Sequence, residues 1–370
     1  MDGGDVLSWR PRLRDSLVVE QDGEELSFIS TSDRRVQRFA ASETVFRMLP
    51  LLDGRHTVAD LLARLCADSE ELAHEVCSAL VTLREEQLLS KAAGPIGGRA
   101  ENTPPHLSRY DRQIRLFQDF CDSDLVEYEE GLAAQQRLTS ATVLVCGIGG
   151  LGSVVASSLA ASGVGTVILC DDDVVEESNL TRQLMYTVED IGNSKADALA
   201  TRLSRINPYV SVVPERRKVE LATDITDLVA GSDLVISCAD QPSVTEMAEI
   251  MTEACWPDTP HIIGGGYSYH IGILGFLVIP RVTACWHCLL TEAAHEHGRD
   301  RAIPLTPKSR HAGILGAQSG IIGNMISWEA IRFLIGMGTA ISNRWLELNY
   351  GPMSFSERVI PRRPDCPWCA

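Results

Sequence analysis

The sequence predicts an α/β protein in which a doubly wound sheet domain follows a small α+β domain. One observation behind this prediction is an apolar, buried strand at 141–146 that runs directly into a glycine-rich turn and a helix of small residues. Another is the alternation of strand and helix patterns from Ser108 onward. A Gly-, Pro- and Ala-rich stretch at 92–106 reads as a linker between residues 1–91 and residues 107–370. A chain of 370 residues is also long enough for two domains, since single cores stop growing at roughly 250–300 residues.

Composition and charge narrow the function classes. Hydrophobic residues make up 45% of the chain and charged residues 22%, which is typical of a globular protein. The apolar runs are short and broken by glycine, and the N-terminus lacks the features of a signal peptide, so we expect a cytoplasmic protein with no membrane partner. A formal net charge of −17 disfavours nucleic acid as a partner, because phosphate backbones are bound by clustered Lys and Arg.

Residues 1–91 carry the signals of a small domain of their own. Two β-like stretches, 16–20 and 25–30, flank an Asp22-Gly23 pair that predicts a hairpin turn. Three helices with apolar residues at helical spacing are predicted to follow, at 42–49, 58–66 and 70–86. A hairpin followed by three helices predicts a winged-helix-like α+β module.

The glycine-rich turn predicts a nucleotide site. It contains four glycines: Gly147, Gly149, Gly150 and Gly152. Glycines between a strand and a helix let backbone N–H groups approach a phosphate at the positive end of the helix dipole. The next predicted strand, 166–170, leads into Asp171, where a carboxylate can accept hydrogen bonds from ribose hydroxyls. Taken alone, these signals predict a Rossmann-like sheet and leave an NAD-dependent dehydrogenase open.

Three charged residues further along the chain favour a triphosphate. Arg182 and Lys195 supply two cations, which suit a triphosphate whose α-phosphorus is attacked. Asp240 follows a predicted strand at 233–237, and the C-terminal ends of strands are where α/β sheets bind ligands, so this carboxylate suits Mg²⁺. The alternative is structural: a surface ion pair for Arg182 or Lys195, and a helix cap for Asp240.

The order of motifs resembles that of one family. Residues 107–370 contain, in order, RYDRQ, GIGGLG, DDD, SNLTRQ, ADQP and two C-x-x-C pairs. This order resembles the ThiF/MoeB and ubiquitin-activating superfamily. The resemblance implies a Rossmann-like adenylation domain that uses ATP and Mg²⁺ to convert a carboxylate into an acyl-adenylate, and it implies a homodimer.

The resemblance also implies roles for individual residues. The implied ATP-binding set is Gly147, Gly149, Gly150, Gly152, Asp171, Asp173, Asn179, Arg182, Gln183, Lys195 and Asp240. Within it, Asp171 holds the ribose, Lys195 holds a phosphate or the substrate carboxylate, and Asp240 holds the magnesium. Catalysis is implied for Arg182, Lys195, Asp240 and Arg112, the last as a finger that crosses the dimer interface. Without the resemblance, Arg112 and its neighbours would be interpreted as a solvated helix face.

Two Cys-x-x-Cys pairs predict a metal site. They are Cys285 with Cys288 and Cys366 with Cys369. Four thiolates complete a tetrahedral shell with no open position, so the pattern predicts a structural zinc ion. A thioredoxin-like redox role for either pair is the alternative, and His287 is interpreted as a bystander. The seven remaining cysteines are interpreted as small buried hydrophobic residues: Cys66, Cys77, Cys121, Cys146, Cys170, Cys238 and Cys255.

Two features bear on the substrate. The stretch that corresponds to the crossover loop of the family, 292–319, contains no cysteine, which favours direct use of the adenylate over a thioester relay. Residues 1–91 resemble PqqD-like leader-recognition domains, and the whole layout is similar to adenylating enzymes of the microcin C type. The implied partner is a ribosomally made precursor peptide whose leader adds as a strand to the edge of the hairpin sheet. A downstream modifying enzyme is a further implied partner.

Three alternatives stay open at this point. Residues 1–91 could be a winged-helix DNA-binding module, although their net charge of −6 disfavours this. The enzyme could instead activate a ubiquitin-like sulfur-carrier protein. The chain could also be a non-catalytic scaffold that delivers a precursor to a partner enzyme, but Arg182, Lys195 and Asp240 are all present.

Overall fold

The computed structural model describes residues 6–91, 105–123, 130–297 and 313–369. The chain divides into two compact units, Met1–Gln136 and Arg137–Ala370. Most of the predicted linker and the middle of the predicted crossover loop lie outside the described residues. The predicted domain boundaries therefore stay predictions.

The first unit begins with a three-stranded antiparallel sheet in the order β1-β2-β3. Its strands are β1 (Leu17–Asp22), β2 (Glu25–Ser30) and β3 (Val36–Ala40). The predicted hairpin is present, and Gly23 adopts a φ of +60° at its turn, a conformation that glycine reaches without steric cost. The third strand was not predicted, since it alternates exposed and half-buried residues and carries no strong apolar signal.

Three helices follow the sheet and enclose a small core. They are α1 (Glu43–Met48), α2 (Val58–Leu65) and α3 (Glu70–Glu85). Ser42, Thr57 and Ser69 cap them, each side chain accepting a hydrogen bond from a backbone N–H in the first turn. The largest buried side chains of this core are Phe28, Met48, Leu52, Leu61 and Leu88.

Two further helices complete the chain before the large sheet: α4 (Asp111–Asp122) and α5 (Gly131–Ser140). Asp119 of α4 is bonded to the β-sheet region of the same unit. Its carboxylate accepts hydrogen bonds from Arg14, at 2.8 Å, and from Ser16 and Ser32. Burial would raise the pKa of Asp119, but these hydrogen bonds lower it below its usual value.

The second unit contains two sheets. Its strands are β4 (Thr142–Cys146), β5 (Thr166–Cys170), β6 (Ser211–Glu215), β7 (Leu234–Ser237), β8 (His261–Ile263), β9 (Gly266–Ser268), β10 (Ile271–Ile273), β11 (Phe276–Val278), β12 (Arg344–Asn349) and β13 (Ser354–Val359). The larger sheet has the order β11-β8-β7-β4-β5-β6, and all its pairs are parallel except β8 with β11. The smaller, antiparallel sheet has the order β13-β12-β10-β9. The predicted fold class is confirmed.

Six helices belong to the second unit as the structure describes it. They are α6 (Gly150–Ser162), α7 (Lys195–Ile206), α8 (Thr226–Ala230), α9 (Val244–Cys255), α10 (Trp286–His297) and α11 (Gly316–Leu334). Helices α6 and α11 pack closely because Gly323 faces Val154, where an added Cβ would lie 2.8 Å from the valine side chain. None of the described helices is both long and apolar enough to cross a membrane.

The topology defines the place where a ligand would bind. From β4 the chain moves outward to β5 and β6, then returns to β7 on the other side of β4. In open α/β sheets, ligands bind outside the C-terminal ends of the strands at such a reversal of strand order. The turn after β4 and the loop after β7 lie at this point.

Candidate functional site

The glycine turn after β4 is shaped by close backbone packing. Gly147 has a φ of +78°, and a Cβ added there would lie 2.6 Å from the Cα of Ala239, in the loop after β7. A Cβ at Gly152 would lie 1.9 Å from the carbonyl oxygen of Gly147. Both positions therefore require glycine, and the turn brings the first turn of α6 against the loop after β7.

Asp171 connects the end of β5 to this turn. Its Oδ2 accepts a hydrogen bond from the Ile148 N–H at 2.7 Å, and its Oδ1 accepts one from the Asp173 N–H at 2.9 Å. Burial raises the pKa of Asp171, while the Ile148 N–H and the Lys195 ammonium act in the opposite direction. The predicted ribose-binding carboxylate is thus held rigidly beside the glycine turn.

Lys195 is the first residue of α7 and lies close to the same carboxylates. Its Nζ lies 2.8 Å from Asp173 Oδ2, and its backbone N–H donates to the Asp173 carbonyl oxygen at 3.0 Å. The Lys195 side chain is only 7% exposed, whereas that of Asp173 is 68% exposed. The ion pair of the structural alternative is therefore present for Lys195, with a buried cation and an exposed carboxylate, and the ATP-binding role of Lys195 stays a prediction.

The segment that contains Arg182 borders the glycine turn. Asn179 is buried, and its Oδ1 accepts a hydrogen bond from the Glu176 N–H at 3.2 Å. Gln183 is also buried, and its Oε1 has no hydrogen-bond partner among the residues that the structure describes. A Cβ on Gly149 would lie 3.5 Å from the Gln183 Nε2, so this amide faces the turn. Such an orphaned polar atom is typical of a site that binds a polar ligand.

Arg182 extends from the same segment. Its Nη1 donates to the Ser178 carbonyl oxygen at 2.9 Å, and the residue is half-buried. Within the described ranges, its guanidinium forms no ion pair with a carboxylate. The ion-pair alternative for Arg182 is therefore wrong in the described part of the chain, and the cation is available to an anionic ligand.

Asp240 lies in the loop after β7 and is exposed. Cys238 of this loop donates its N–H to the Cys146 carbonyl oxygen at 2.7 Å, which continues the β4–β7 pairing and brings the loop beside the glycine turn. The helix-cap alternative for Asp240 is wrong, because the Ser243 side chain caps α9 by accepting a hydrogen bond from Glu246 N–H. The carboxylate is thus not used to cap α9.

Two residues near the turn have no counterpart in the sequence motifs. A Cβ at Gly150 would lie 2.6 Å from the Tyr267 Oη and 2.9 Å from the Ser319 Oγ. Tyr267 belongs to β9, and Ser319 to α11. Both are more than a hundred residues from the glycines in sequence. No local pattern identifies them.

Arg112 lies on α4, in the first unit. Its side chain is exposed and, in the described part of the chain, forms no ion pair. Its neighbour Arg115 lies 3.1 Å from Asp111 and 3.5 Å from Asp15. Arg112 is therefore as exposed as a residue on a solvated helix face. Its predicted role as a finger that crosses the dimer interface stays a prediction.

The four paired cysteines come together in the core of the second unit. Cys285 Sγ lies 3.5 Å from Cys366 Sγ and 3.9 Å from Cys288 Sγ, and Cys288 Sγ lies 3.5 Å from Cys369 Sγ. A zinc ion with Zn–S bonds of about 2.3 Å places its four sulfurs about 3.8 Å apart. All four side chains are buried, so the donor set and its spacing fit a tetrahedral zinc site.

The surroundings of this cluster also suit a metal. Burial would raise the pKa of Cys366, but the N–H groups of Cys369 and Trp368 bring it down to about 7. Burial instead raises the pKa of Cys285 and of Cys369 above the usual value. His287 stacks on the Trp368 ring, with 4.9 Å between ring centroids. It is not part of the group of side chains that could hold the ion. These contacts are consistent with His287 as a bystander.

The prediction for the unpaired cysteines holds in part. Five are buried, but Cys77 is exposed and Cys238 is half-buried, so the prediction is wrong for these two. Cys77 lies on the outer face of α3, where its apolar neighbours in sequence do not cover it. Burial raises the pKa of Cys238 and of Cys255 to about 12, so both thiols are poor nucleophiles at neutral pH.

Comparison with known proteins gives matches at the level of sequence and of fold. The sequence profile of the ThiF family matches residues 110–368. The SAMP-activating enzyme E1 of Haloferax volcanii is 33% identical over 264 residues, covering 71% of this chain and 88% of that protein. The sulfur carrier protein ThiS adenylyltransferase of Escherichia coli is 32% identical over 262 residues, covering 70% of this chain and 94% of that protein.

A solved structure resembles nearly the whole chain. The crystal structure of E. coli MccB with AMPCPP and MccA has a TM-score of 0.72 and 20% sequence identity, and covers 97% of this chain and 99% of MccB. At this identity the match concerns the fold alone. Unlike the family profile, it extends over the part of the chain that precedes residue 110.

Proposed function

We propose that this chain, which belongs to the ThiF family and is an ATP-dependent adenylyltransferase, activates a carboxylate of a ribosomally synthesised precursor peptide. The observation that carries this choice of substrate is the match of fold to MccB over 97% of the chain, which takes in most of residues 1–91. MccB is named as the microcin C7 biosynthetic enzyme and was crystallised in complex with MccA.

The glycine turn is the proposed ATP site. The backbone at Gly149 and Gly150 faces the polar groups around the turn, and a side chain at Gly150 would fill the space between that backbone and Tyr267. Asp171 would accept hydrogen bonds from the ribose, and Asn179, Arg182 and Gln183 lie on the segment that borders the turn. The backbone and side chains around the glycine turn therefore suit a nucleoside triphosphate.

The proposed reaction joins the peptide to AMP. One oxygen of the ionised carboxylate attacks the α-phosphorus of ATP, and the bond from that phosphorus to the oxygen that bridges to the β-phosphate breaks. Pyrophosphate leaves with the electron pair, and the product is the acyl-adenylate. Arg182 and Lys195 would neutralise charge that builds on the phosphates, and such preorganised charges act more strongly in a site that excludes water.

Asp240 is the proposed magnesium ligand. Its carboxylate is exposed at the C-terminal edge of the large sheet and does not cap α9, and hard oxygen ligands suit this ion. Magnesium bound there would supply positive charge to the phosphates of ATP.

We further propose that no cysteine forms a thioester with the substrate. Cys238, in the loop beside the glycine turn, has its pKa raised to about 12 by burial, so it is a thiol at neutral pH. The sequence of 292–319 contains no cysteine either. Direct use of the adenylate by a later step accounts for both features.

The small sheet of the first unit is the proposed leader-binding element. In the described residues, β1 and β3 each pair with β2 alone, so each leaves one edge unpaired. An extended peptide can add as a strand to such an edge through main-chain hydrogen bonds. The net charge of −6 in residues 1–91 supports a peptide over DNA as the ligand.

Leader binding is testable by truncation. A fluorescein-labelled peptide, encoded by a short open reading frame beside the gene, is expected to bind the full chain at least tenfold more tightly than a chain that starts at Pro105. Fluorescence anisotropy would measure both affinities. ATP binding by the truncated chain is the control for its folding, and equal peptide affinity in the two chains would remove the leader-recognition role.

A zinc ion in the four-cysteine cluster and a homodimer complete the proposal. The closed shell of four thiolates would give the metal a structural role, because no coordination position stays open for a substrate. Arg112 is proposed to reach the ATP of the neighbouring protomer. Rescue of an Asp240→Ala protein by an Arg112→Ala protein in mixed dimers is the measurement that tests this arrangement.

A second candidate substrate is a ubiquitin-like sulfur-carrier protein. Sequence identity favours it, because the H. volcanii and E. coli relatives are 33% and 32% identical to this chain, against 20% for MccB. Those two alignments cover 71% and 70% of the chain. These alignments leave about 30% of the chain unmatched, against 3% for MccB, which is why we place this candidate second.

A further inference from the structure

Two hydroxyl groups outside the family motifs face the first turn of α6. The Tyr267 phenol comes from the edge strand β9 of the smaller sheet, and the Ser319 hydroxyl comes from the first turns of α11. Both lie within 3 Å of the position that a Cβ on Gly150 would occupy, at 2.6 and 2.9 Å. A side chain at Gly150 would therefore clash with both hydroxyls. Ser319 is fully buried, and its Oγ has no hydrogen-bond partner among the residues that the structure describes.

The surroundings of Tyr267 connect it to the charged residues of the site. The Arg182 guanidinium lowers the pKa of the phenol and the Asp240 carboxylate raises it, so both charges lie close enough to act on it. Burial has the largest effect and raises the pKa above its usual value, while the Ser319 hydroxyl lowers it. At neutral pH the phenol is therefore protonated and is a hydrogen-bond donor.

We infer that Tyr267 donates a hydrogen bond to a non-bridging oxygen of the α-phosphoryl group of ATP. The inference rests on the proposed function, which assigns the phosphates to Arg182 and the magnesium to Asp240. The phenol lies beside the backbone of Gly150, and the carbonyl oxygen of Arg182 lies 3.4 Å from the same Cβ position. An α-phosphoryl group that interacts with both Arg182 and the magnesium at Asp240 would lie next to the Tyr267 phenol and the first turn of α6.

This contact would contribute to catalysis as well as to binding. Negative charge on the non-bridging oxygens is redistributed as the carboxylate adds and the pyrophosphate leaves, and a donor that is already oriented needs no rearrangement at that moment. A phenol that packs against the first turn of α6 is such a donor. The sequence motifs supply backbone N–H groups, the Gln183 amide and cations at this point.

The test compares three nucleotides that differ in their phosphates. Isothermal titration of the full chain with Mg·ATP, AMP and adenosine would measure each affinity for the wild type, Tyr267→Phe and Tyr209→Phe. Tyr267→Phe removes one oxygen and keeps the ring, and it is expected to weaken ATP and AMP binding by about tenfold or more, as is usual for a hydrogen bond to a charged group. Adenosine affinity should stay unchanged, because adenosine has no phosphoryl group.

The other outcomes overturn the inference. Equal ATP and AMP affinities in wild type and Tyr267→Phe would remove the contact, and a loss for ATP alone would move it away from the α-phosphoryl group. An equal loss for adenosine would reveal a structural role. Tyr209→Phe, whose side chain is 60% exposed, is the matched control and should bind all three as the wild type does. A wild type that binds none of the three would instead overturn the proposed ATP site.

Folding of the variants is checked by thermal melting. If Tyr267→Phe fails to fold, Tyr267→Leu decides by the same three titrations, because it also removes the phenolic hydroxyl and should weaken ATP and AMP binding by about tenfold or more while adenosine is unaffected. Unchanged ATP and AMP affinities in Tyr267→Leu would then overturn the inference.

Discussion

Replacing Asp240 with alanine is expected to lower peptide-dependent pyrophosphate release by about 10²–10³-fold, the usual cost of one preorganised group that acts on charge in the transition state. The carboxylate is exposed beside the glycine turn, and it does not cap α9, so its removal should not unfold the chain. Leader-peptide affinity should be unchanged. A coupled pyrophosphate assay and a titration of the labelled peptide would measure the two effects.

Asp258→Ala is the matched control for this prediction. Asp258 is also exposed in the second unit but lies after α9, away from the residues that we assign to ATP. Its variant should retain wild-type turnover. Turnover within a few-fold of wild type in Asp240→Ala would contradict the assignment of the magnesium ligand.

The same variant tests the proposed homodimer. If Arg112 acts across the interface, a mixed dimer of Asp240→Ala and Arg112→Ala protomers holds one site with both defects and one intact site. Random mixing should then restore on the order of a quarter of wild-type activity, because half of the dimers are mixed and half of their sites are intact. Mixed dimers that form and stay inactive would contradict the arrangement.

Cys366→Ser is expected to lose the metal and much of the stability of the second unit. The substitution leaves three buried thiols around an incomplete shell, and breaking a buried charged cluster costs about 3–5 kcal/mol. For a unit of this size, about 3 kcal/mol corresponds to a fall in Tm of roughly 6–12 °C. Mass spectrometry of metal content and thermal melting would measure both, with about one zinc per chain expected in the wild type.

Cys255→Ser distinguishes the loss of stability that follows from losing the metal from the loss that follows from altering any buried thiol. Cys255 is buried in the same hydrophobic core but lies outside the four-cysteine cluster. Its variant should lose some stability and retain the zinc. Zinc content that is unchanged in Cys366→Ser would rule out the proposed ligand set.

The sequence predicted best those features that depend on residues close together in the chain. The strand, glycine turn and helix at the proposed ATP site were identified because their signal spans a dozen residues, with Gly147 needed for its positive φ and Gly152 for close packing. The Cys-x-x-Cys pairs predicted the four-cysteine cluster for the same reason. The family resemblance then extended these local signals to residues such as Lys195.

Features that arise from packing between distant segments were missed. Tyr267 and Ser319 reach Gly150 from a different sheet and from a later helix, so no spacing in the sequence relates them to the turn. The exposure of Cys77 depends on which face of α3 meets the core. The cap of α9 by Ser243 excludes the helix-cap interpretation of Asp240, and only the backbone geometry shows which of the two residues is the cap.

The identity of the activated carboxylate is the central claim, and ATP–pyrophosphate exchange tests it most directly. The exchange requires reversible formation of the acyl-adenylate and needs no later step. We predict exchange by the full chain with a peptide encoded by a short open reading frame beside the gene, and only background exchange with a ubiquitin-like sulfur-carrier protein. Exchange that depends on the carrier protein and does not occur with the peptide would contradict the proposed function.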